Sequence, residues 1–436
     1  MRTERKTAFR YFRHAGAWSL AALALLGCVK QKATASKSPE VLAAGIILKL
    51  PASVSFTNLY DVMPMPDGGY AFWGDFTASD GSAYYGQVLV TDRSLNARTS
   101  FGNQGVQQIP ASAYSMGLGF STATSGVFLP LAVEDSGGNY SLDASPFSIT
   151  SSAASFLNGV SLPIDLSYVP ADSLVASADS SFWLASNGTT SSGVQLKLDT
   201  SSPTAPPWSL STSASFASGP LLASSGNFVY AFYSISTSPD GNGNFANTVS
   251  AASIALDGSV ATSTQTVSTA SVGLIALEGI VSSAAGAYIW GIGGSGAFLN
   301  HILLPSLTLD ASYGSAGSAN PNPTDATSGT QFSLEAAAVD AKGNLYGCGL
   351  AAVPNSGDFN TYLAVWRLSP AGQLDPTLGT AQMPFAPLQA APVPANVSAS
   401  CLRVRYVPGT GLLTVSSSSS ADANPGTFTV NQIPVP

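Results

Sequence analysis

Asp67-Gly68-Gly69-Tyr70-Ala71-Phe72-Trp73-Gly74 and Lys342-Gly343-Asn344-Leu345-Tyr346-Gly347-Cys348-Gly349 are two copies of one phrase. In each, a turn signal leads into a short, aromatic-rich apolar run that ends in glycine. Gly226-Asn227-Phe228-Val229-Tyr230-Ala231-Phe232 and Gly286-Ala287-Tyr288-Ile289-Trp290-Gly291 repeat the phrase, and weaker copies begin at Gly126, Ser181 and Gly411. The copies recur roughly every 45 to 70 residues, a spacing that points to a solenoid or a propeller.

Each copy runs on into a second apolar strand, as at residues 85–90, 194–198, 249–256 and 362–368. Short strands of about five to seven residues between turn signals, with no long helical pattern, indicate an all-β chain. Seven units of four strands would close into a β-propeller and hide the sheet edges that an open array would expose. Six or eight blades, or two stacked sandwiches, are the alternatives. The last unit has room for three strands, at 401–406, 412–416 and 427–433. The apolar run at 45–50 has no unit of its own, so an N-terminal strand is expected to complete that blade. One residue resists the pattern: Pro130 falls inside a proposed strand, where a ladder donor is needed. Residues 236–247 and 354–359 are expected to be exposed loops.

Three units carry a matching closing phrase: Leu95-Asn96-Ala97-Arg98-Thr99-Ser100-Phe101-Gly102, Leu309-Asp310-Ala311-Ser312-Tyr313-Gly314 and Leu374-Asp375-Pro376-Thr377-Leu378-Gly379. With the Asp-Gly turn and the apolar strand ending in glycine, these resemble the bacterial delta-60 repeat. Units two to four lack the phrase. The resemblance implies a propeller-like β fold and brings no catalytic residues with it.

The N-terminus has a different character. Arg2, Arg5, Lys6, Arg10 and Arg13 precede a charge-free apolar run at 15–26, which is the layout of a signal peptide and too short to span a bilayer comfortably. The run ends in Leu25-Leu26-Gly27-Cys28, which resembles a bacterial lipobox. That resemblance implies cleavage after Gly27, acylation of Cys28, and membrane lipid as a partner through the acylated cysteine. Val29, rather than aspartate, follows the cysteine, which favours the outer membrane over the inner. The expected organisation is therefore a signal peptide at 1–27, a lipidated tether at 28–42 and one propeller domain at 43–436.

Composition narrows the partners. The chain has 16 basic and 24 acidic residues, a net charge of −8. Loss of residues 1–27 would take five basic residues and one acidic residue, leaving −12. Such a surface argues against nucleic acid. Charged residues make up 9% of the chain against about 25% in typical globular proteins, so Ser, Thr, Gly and Asn must supply the solvated surface.

No catalytic, cofactor or metal set emerges. His301 would be the mature chain's single histidine, on the third strand of the fifth blade, and reads as structural. Asp240-Gly241-Asn242-Gly243-Asn244 opens like a calcium loop but has Phe245 and Ala251 where glycine and an acid belong, so it reads as a hairpin connection. Cys348 and Cys401 fit adjacent strands of blades six and seven. A disulfide and two buried free thiols both remain open. The recurring aromatics read as packing between blades, and no acidic pair stands out. The expectation is a non-enzymatic module that binds a protein or a glycan at the cell envelope, with a periplasmic scaffold, or a hydrolase or lyase, as alternatives.

Overall fold

A computed structural model describes residues 46–47, 54–65, 67–78, 84–108, 113–115, 121–123, 126–134, 140–149, 154–156, 160–162, 174–176, 182–190, 193–200, 208–212, 215–236, 247–257, 260–269, 276–283, 285–293, 296–325, 328–379, 385–389, 391–420 and 427–435. The signal peptide, Gly27, Cys28, the tether and the 240–244 segment lie outside them. The chain is an all-β propeller, and the described strands form seven antiparallel sheets.

The first sheet is built from Val54–Pro64, Tyr70–Ala78, Tyr84–Thr91 and Val106–Gln108. The fifth contains Ala276–Ser282, Gly286–Gly293, Gly296–Leu303 and Thr308–Leu309, and the sixth contains Gln331–Val339, Leu345–Asn355, Asp358–Leu368 and Leu374–Asp375. The seventh takes Val397–Val407, Gly411–Ser420 and Thr427–Ile433 from the C-terminus and Ile46–Ile47 from the N-terminus. Ile46 pairs with Val430 and Ile47 with Thr429, so the N-terminal strand completes the last sheet as expected. The first strands of successive sheets touch from the third sheet onward, and Val397–Val407 touches Val54–Pro64 of the first sheet, closing a ring.

Local chemistry explains the repeated phrases. Asp67 Oδ1 accepts from the Gly69 amide at 3.2 Å, and Asp340 Oδ1 accepts from Lys342 and Asn344 amides at 2.9 Å each. These Asx turns let an aspartate side chain replace a backbone turn bond. Gly68 and Gly343 then take φ of 87° and 83°, which a side chain would oppose. The Phe-Gly and Tyr-Gly phrases also fold alike. The Gly105 amide donates to Phe101 O and the Gly317 amide to Tyr313 O, both at 2.8 Å, and both aromatic rings are fully buried.

The core lies between sheets. Tyr288, Trp290, Phe332 and Trp366 pack the fifth sheet against the sixth, and Val62, Phe72, Leu89, Val415 and Val430 pack the first against the seventh. Tyr70, Trp73, Tyr230 and Tyr346 are also buried, which agrees with a packing role for the recurring aromatics. The Trp183 strand is described, but its side chain is not.

Three details differ from the sequence expectations or resolve them. Pro130 does sit in a strand, Gly126–Glu134, opposite Ala144. On the other flank, Ser121–Ala123 pairs only with residues 126–128 and Ala113–Ser115 only with 131–133. Among the described residues Pro130 thus has a ladder partner on one flank alone. The 354–359 segment is not a loop, because the ladder continues to the Asn355–Asp358 pair. Ser356 and Gly357, with φ of 48° and 99°, make a two-residue hairpin turn there. Such tight turns also allow strands of eleven residues, longer than anticipated.

Candidate functional site

In the first, fourth, fifth, sixth and seventh sheets the innermost strand precedes the Gly turn that marks the repeat and carries a β-bulge. Leu59 pairs with Gly74 and Asp61 with Trp73, leaving Tyr60 as the extra residue. In the same register, Glu278 is extra between the Leu277–Gly291 and Gly279–Trp290 pairs, and Glu335 between Leu334–Gly349 and Ala336–Cys348. Leu402 holds the equivalent place in the seventh sheet. Bulges re-aim a side chain and leave its residue outside the ladder. The glycine ending each apolar phrase makes room for the bulge: a Cβ on Gly349 would lie 2.0 Å from Ser333 O, and one on Gly291 would lie 2.1 Å from Ala276 O.

These innermost strands line an open cavity of about 600 Å³, bordered by Asp61, Glu278, Glu335, Arg403, Arg405 and Tyr406 among others. Its volume is in the range of small-molecule sites. Arg405 holds the buried Asp61 through both carboxylate oxygens, with Nε 3.0 Å from Oδ1, and locks the seventh sheet to the first. The Arg403 Nε donates to Tyr60 O at 2.9 Å across the same seam. Glu335 Oε2 accepts from the Cys401 amide at 2.6 Å and the Ser400 hydroxyl at 3.1 Å. Burial pushes the Glu335 carboxyl up from 4.5 to about 7, against the pull of those two donors. Glu278 reaches solvent at its surface, yet it is enclosed by surrounding protein, and that desolvation raises its carboxyl too.

The repeat supplies an internal comparison. At the bulge, Glu278 and Glu335 stand where Tyr60 and Leu402 stand in other sheets. Arg403 aligns with Asp61, Gly279 and Ala336, and Arg405 with Met63, Val281 and Ala338. The fold therefore accepts an uncharged residue at each of these three repeat positions in at least one sheet, although the first sheet places Asp61 where the seventh has Arg403. Sequence reading missed this set because it began each unit at the turn, one strand too late. Aligning the units on Gly74, Gly291 and Gly349 and reading back to Leu59, Leu277 and Leu334 brings the two glutamates into register.

The other candidates lie elsewhere. Cys348 and Cys401 are joined in a buried disulfide, with Cα atoms 5.8 Å apart, stapling the sixth sheet to the seventh. His301 is on the third strand of the fifth sheet, 5% exposed and stacked on Tyr288 at 4.3 Å. Its Nδ1 meets Asp310 at 2.8 Å, an orienting acid that sequence reading did not pair with it. The Ser312 hydroxyl, and then His301, hold the Asp310 carboxyl below its usual range. Burial pushes Tyr288 up to about 12. His301 does not line the cavity, and its Nε2 is buried against the fold without a partner. This is a packed polar cluster, not an accessible base. Among the described residues no group of His, Cys, Asp or Glu is arranged to hold a metal ion, and no helix is long and apolar enough to cross a membrane.

No family model matches the sequence, and no curated protein matches it. Among solved structures, the chain is similar to the β-propeller domain of the trilobed protease from Pyrococcus furiosus, at 8% identity, covering 88% of this chain and 97% of that one, with a TM-score of 0.43. It is also similar to the Dos1 propeller, at 11% identity over 90% and 95% of the two chains, with a TM-score of 0.39. The polysaccharide lyase Uly1 matches at 9% identity over 94% of each chain, with a TM-score of 0.47. At these identities and scores nothing of their chemistry transfers, and what this chain has in common with proteins of known structure is the propeller fold.

Proposed function

We propose that this chain is a lipid-anchored protein of the bacterial envelope, outer membrane favoured, whose propeller cavity binds a ligand without catalysis. The observation that carries the binding role is the charged set Glu278, Glu335, Arg403 and Arg405 around one cavity, where other sheets place Tyr60 and Leu402 at the bulge and Met63, Val281 and Ala338 in the place of Arg405. Support for the anchor is the Leu25-Leu26-Gly27-Cys28 sequence behind a basic, then apolar, leader. Two or three acyl chains would hold the protein far more firmly than one. Metabolic labelling with an alkyne palmitate tests the anchor: the wild type should carry label in the membrane fraction, and Cys28→Ser should lose both label and membrane association. Protease treatment of intact and lysed cells then separates a surface-exposed binder from a periplasmic scaffold.

A catalytic second reading draws on one observation. A carboxyl raised to about 7 at the edge of a cavity is in the range of a general acid or base. Turnover of a glycan substrate that is abolished by Glu335→Gln would favour it over simple binding.

A further inference from the structure

The cavity combines groups that a single ligand would satisfy together. Neither Glu278 nor Glu335 forms an ion pair with Arg403 or Arg405 among the described residues, although all four line one space. Arg405 is committed to Asp61. Among the described residues Arg403 is held through Nε alone, so its end-on pair of Nη groups keeps the fork geometry that suits a carboxylate. Glu335 is fixed through Oε2, leaving Oε1 for another partner. Tyr406 and Glu278 add polar groups on the flanking strands. Among the described lining residues Arg403 is thus the cation not already paired with a carboxylate, and it is the point at which an anionic group would be received.

We infer that the cavity binds a small polyhydroxylated carboxylate of the sugar-acid class, with Arg403 taking the carboxylate and Glu335 and Glu278 taking hydroxyls. This rests on the cavity being the binding site, as proposed above. A neutral sugar lacks the group that Arg403 is set to receive, and a simple fatty acid lacks the hydroxyls. Affinity depends on pH through Glu335. The charged and titratable groups facing it across the cavity are Glu278 on the fifth sheet, Asp61 with its partner Arg405 at the seam, and Arg403 and Tyr406 on the seventh sheet. A protonated Glu335 donates a hydrogen bond and adds no charge to repel the ligand, so affinity rises as pH falls through about 7.

The test is calorimetric titration of the full lipidated protein in detergent with D-galacturonate and with D-galactose, at about pH 6 and about pH 8, with thermal unfolding of every variant measured alongside. The expected result is galacturonate binding at least about tenfold tighter than galactose, and about tenfold tighter at the lower pH. Arg403→Met should abolish the preference for the acid, and Glu335→Gln should remove the pH dependence. Equal affinity for the two sugars, still weakened by Glu278→Gln, overturns the sugar-acid inference and leaves the cavity as a binding site. Absence of binding by either sugar up to about 10 mM overturns the inference, and binding that ignores all three substitutions overturns the cavity reading as well.

Discussion

Glu335→Gln should stabilise the folded protein at alkaline pH and change it little at acid pH. The side chain is half-buried, and its carboxyl rises from 4.5 in the ordinary case to about 7, chiefly through burial. The folded chain therefore holds this proton more tightly than the unfolded chain. Its contribution to stability is fully present below 4.5 and is lost as pH rises through about 7. A shift of that size corresponds to about 3 kcal/mol at most between the two limits. Glutamine carries no charge to desolvate and keeps an oxygen for the Cys401 amide and the Ser400 hydroxyl. The rise to about 7 is already net of those two bonds, so the expected gain stays at about 3 kcal/mol. Urea unfolding of both proteins across about pH 5 to 9 measures the difference directly. Glu278, also raised by desolvation, contributes a slope common to both curves, so the gap between them isolates Glu335. The reasoning fails if the two stability curves run parallel through neutrality, or if the variant is the less stable protein at high pH.

Gly349→Ala should cost about 1–3 kcal/mol, because the new methyl meets the Ser333 carbonyl carbon and oxygen of a fixed bulge rather than a yielding side chain; a thermal melt reads this loss. Arg405→Met strips the buried Asp61 carboxylate of its arginine partner and should destabilise by about 3–5 kcal/mol, with Asp61→Asn in the same background restoring much of it. Removing Cys348 and Cys401 together releases a span of 53 residues in the unfolded chain, and loop-closure entropy puts the loss at about 4 kcal/mol in denaturant titration. That loss should appear equally in wild type treated with reductant under unfolding conditions.

The propeller was legible because its turns are written in residues with few other uses. Asp67-Gly68-Gly69 and Asp340 to Asn344 mark Asx turns, and the Phe101-Gly102 and Tyr313-Gly314 phrases mark a shared closing bend. The completing role of the 46–47 strand followed from counting strands in the last unit. The glutamates were not legible, because a bulge sets two residues against one and breaks the alternation by which a strand is recognised. Leu277-Glu278-Gly279 and Leu334-Glu335-Ala336 read as scattered acids until the register places each beside its facing glycine. The Glu335 bond to the Cys401 amide joins residues 66 apart, and the Arg405–Asp61 pair joins residues 344 apart. Local pattern carries no trace of either.

Both ends of the described chain share the seventh sheet, and this has a mechanical side. A load arriving along the chain ahead of Ile46 pulls first on the two-residue strand paired to Thr429 and Val430, at the outer margin of that sheet. The inner margin is held differently, covalently through Cys401 on one flank and by the Arg405–Asp61 pair on the other. Once those two rungs part, the tension passes along the chain to Val54–Pro64, the innermost strand of the first sheet, which the Arg405–Asp61 pair moors to the seventh. The order of yielding is thus written in the chain: two weak outer rungs first, then a long inner strand that an ion pair ties across the seam.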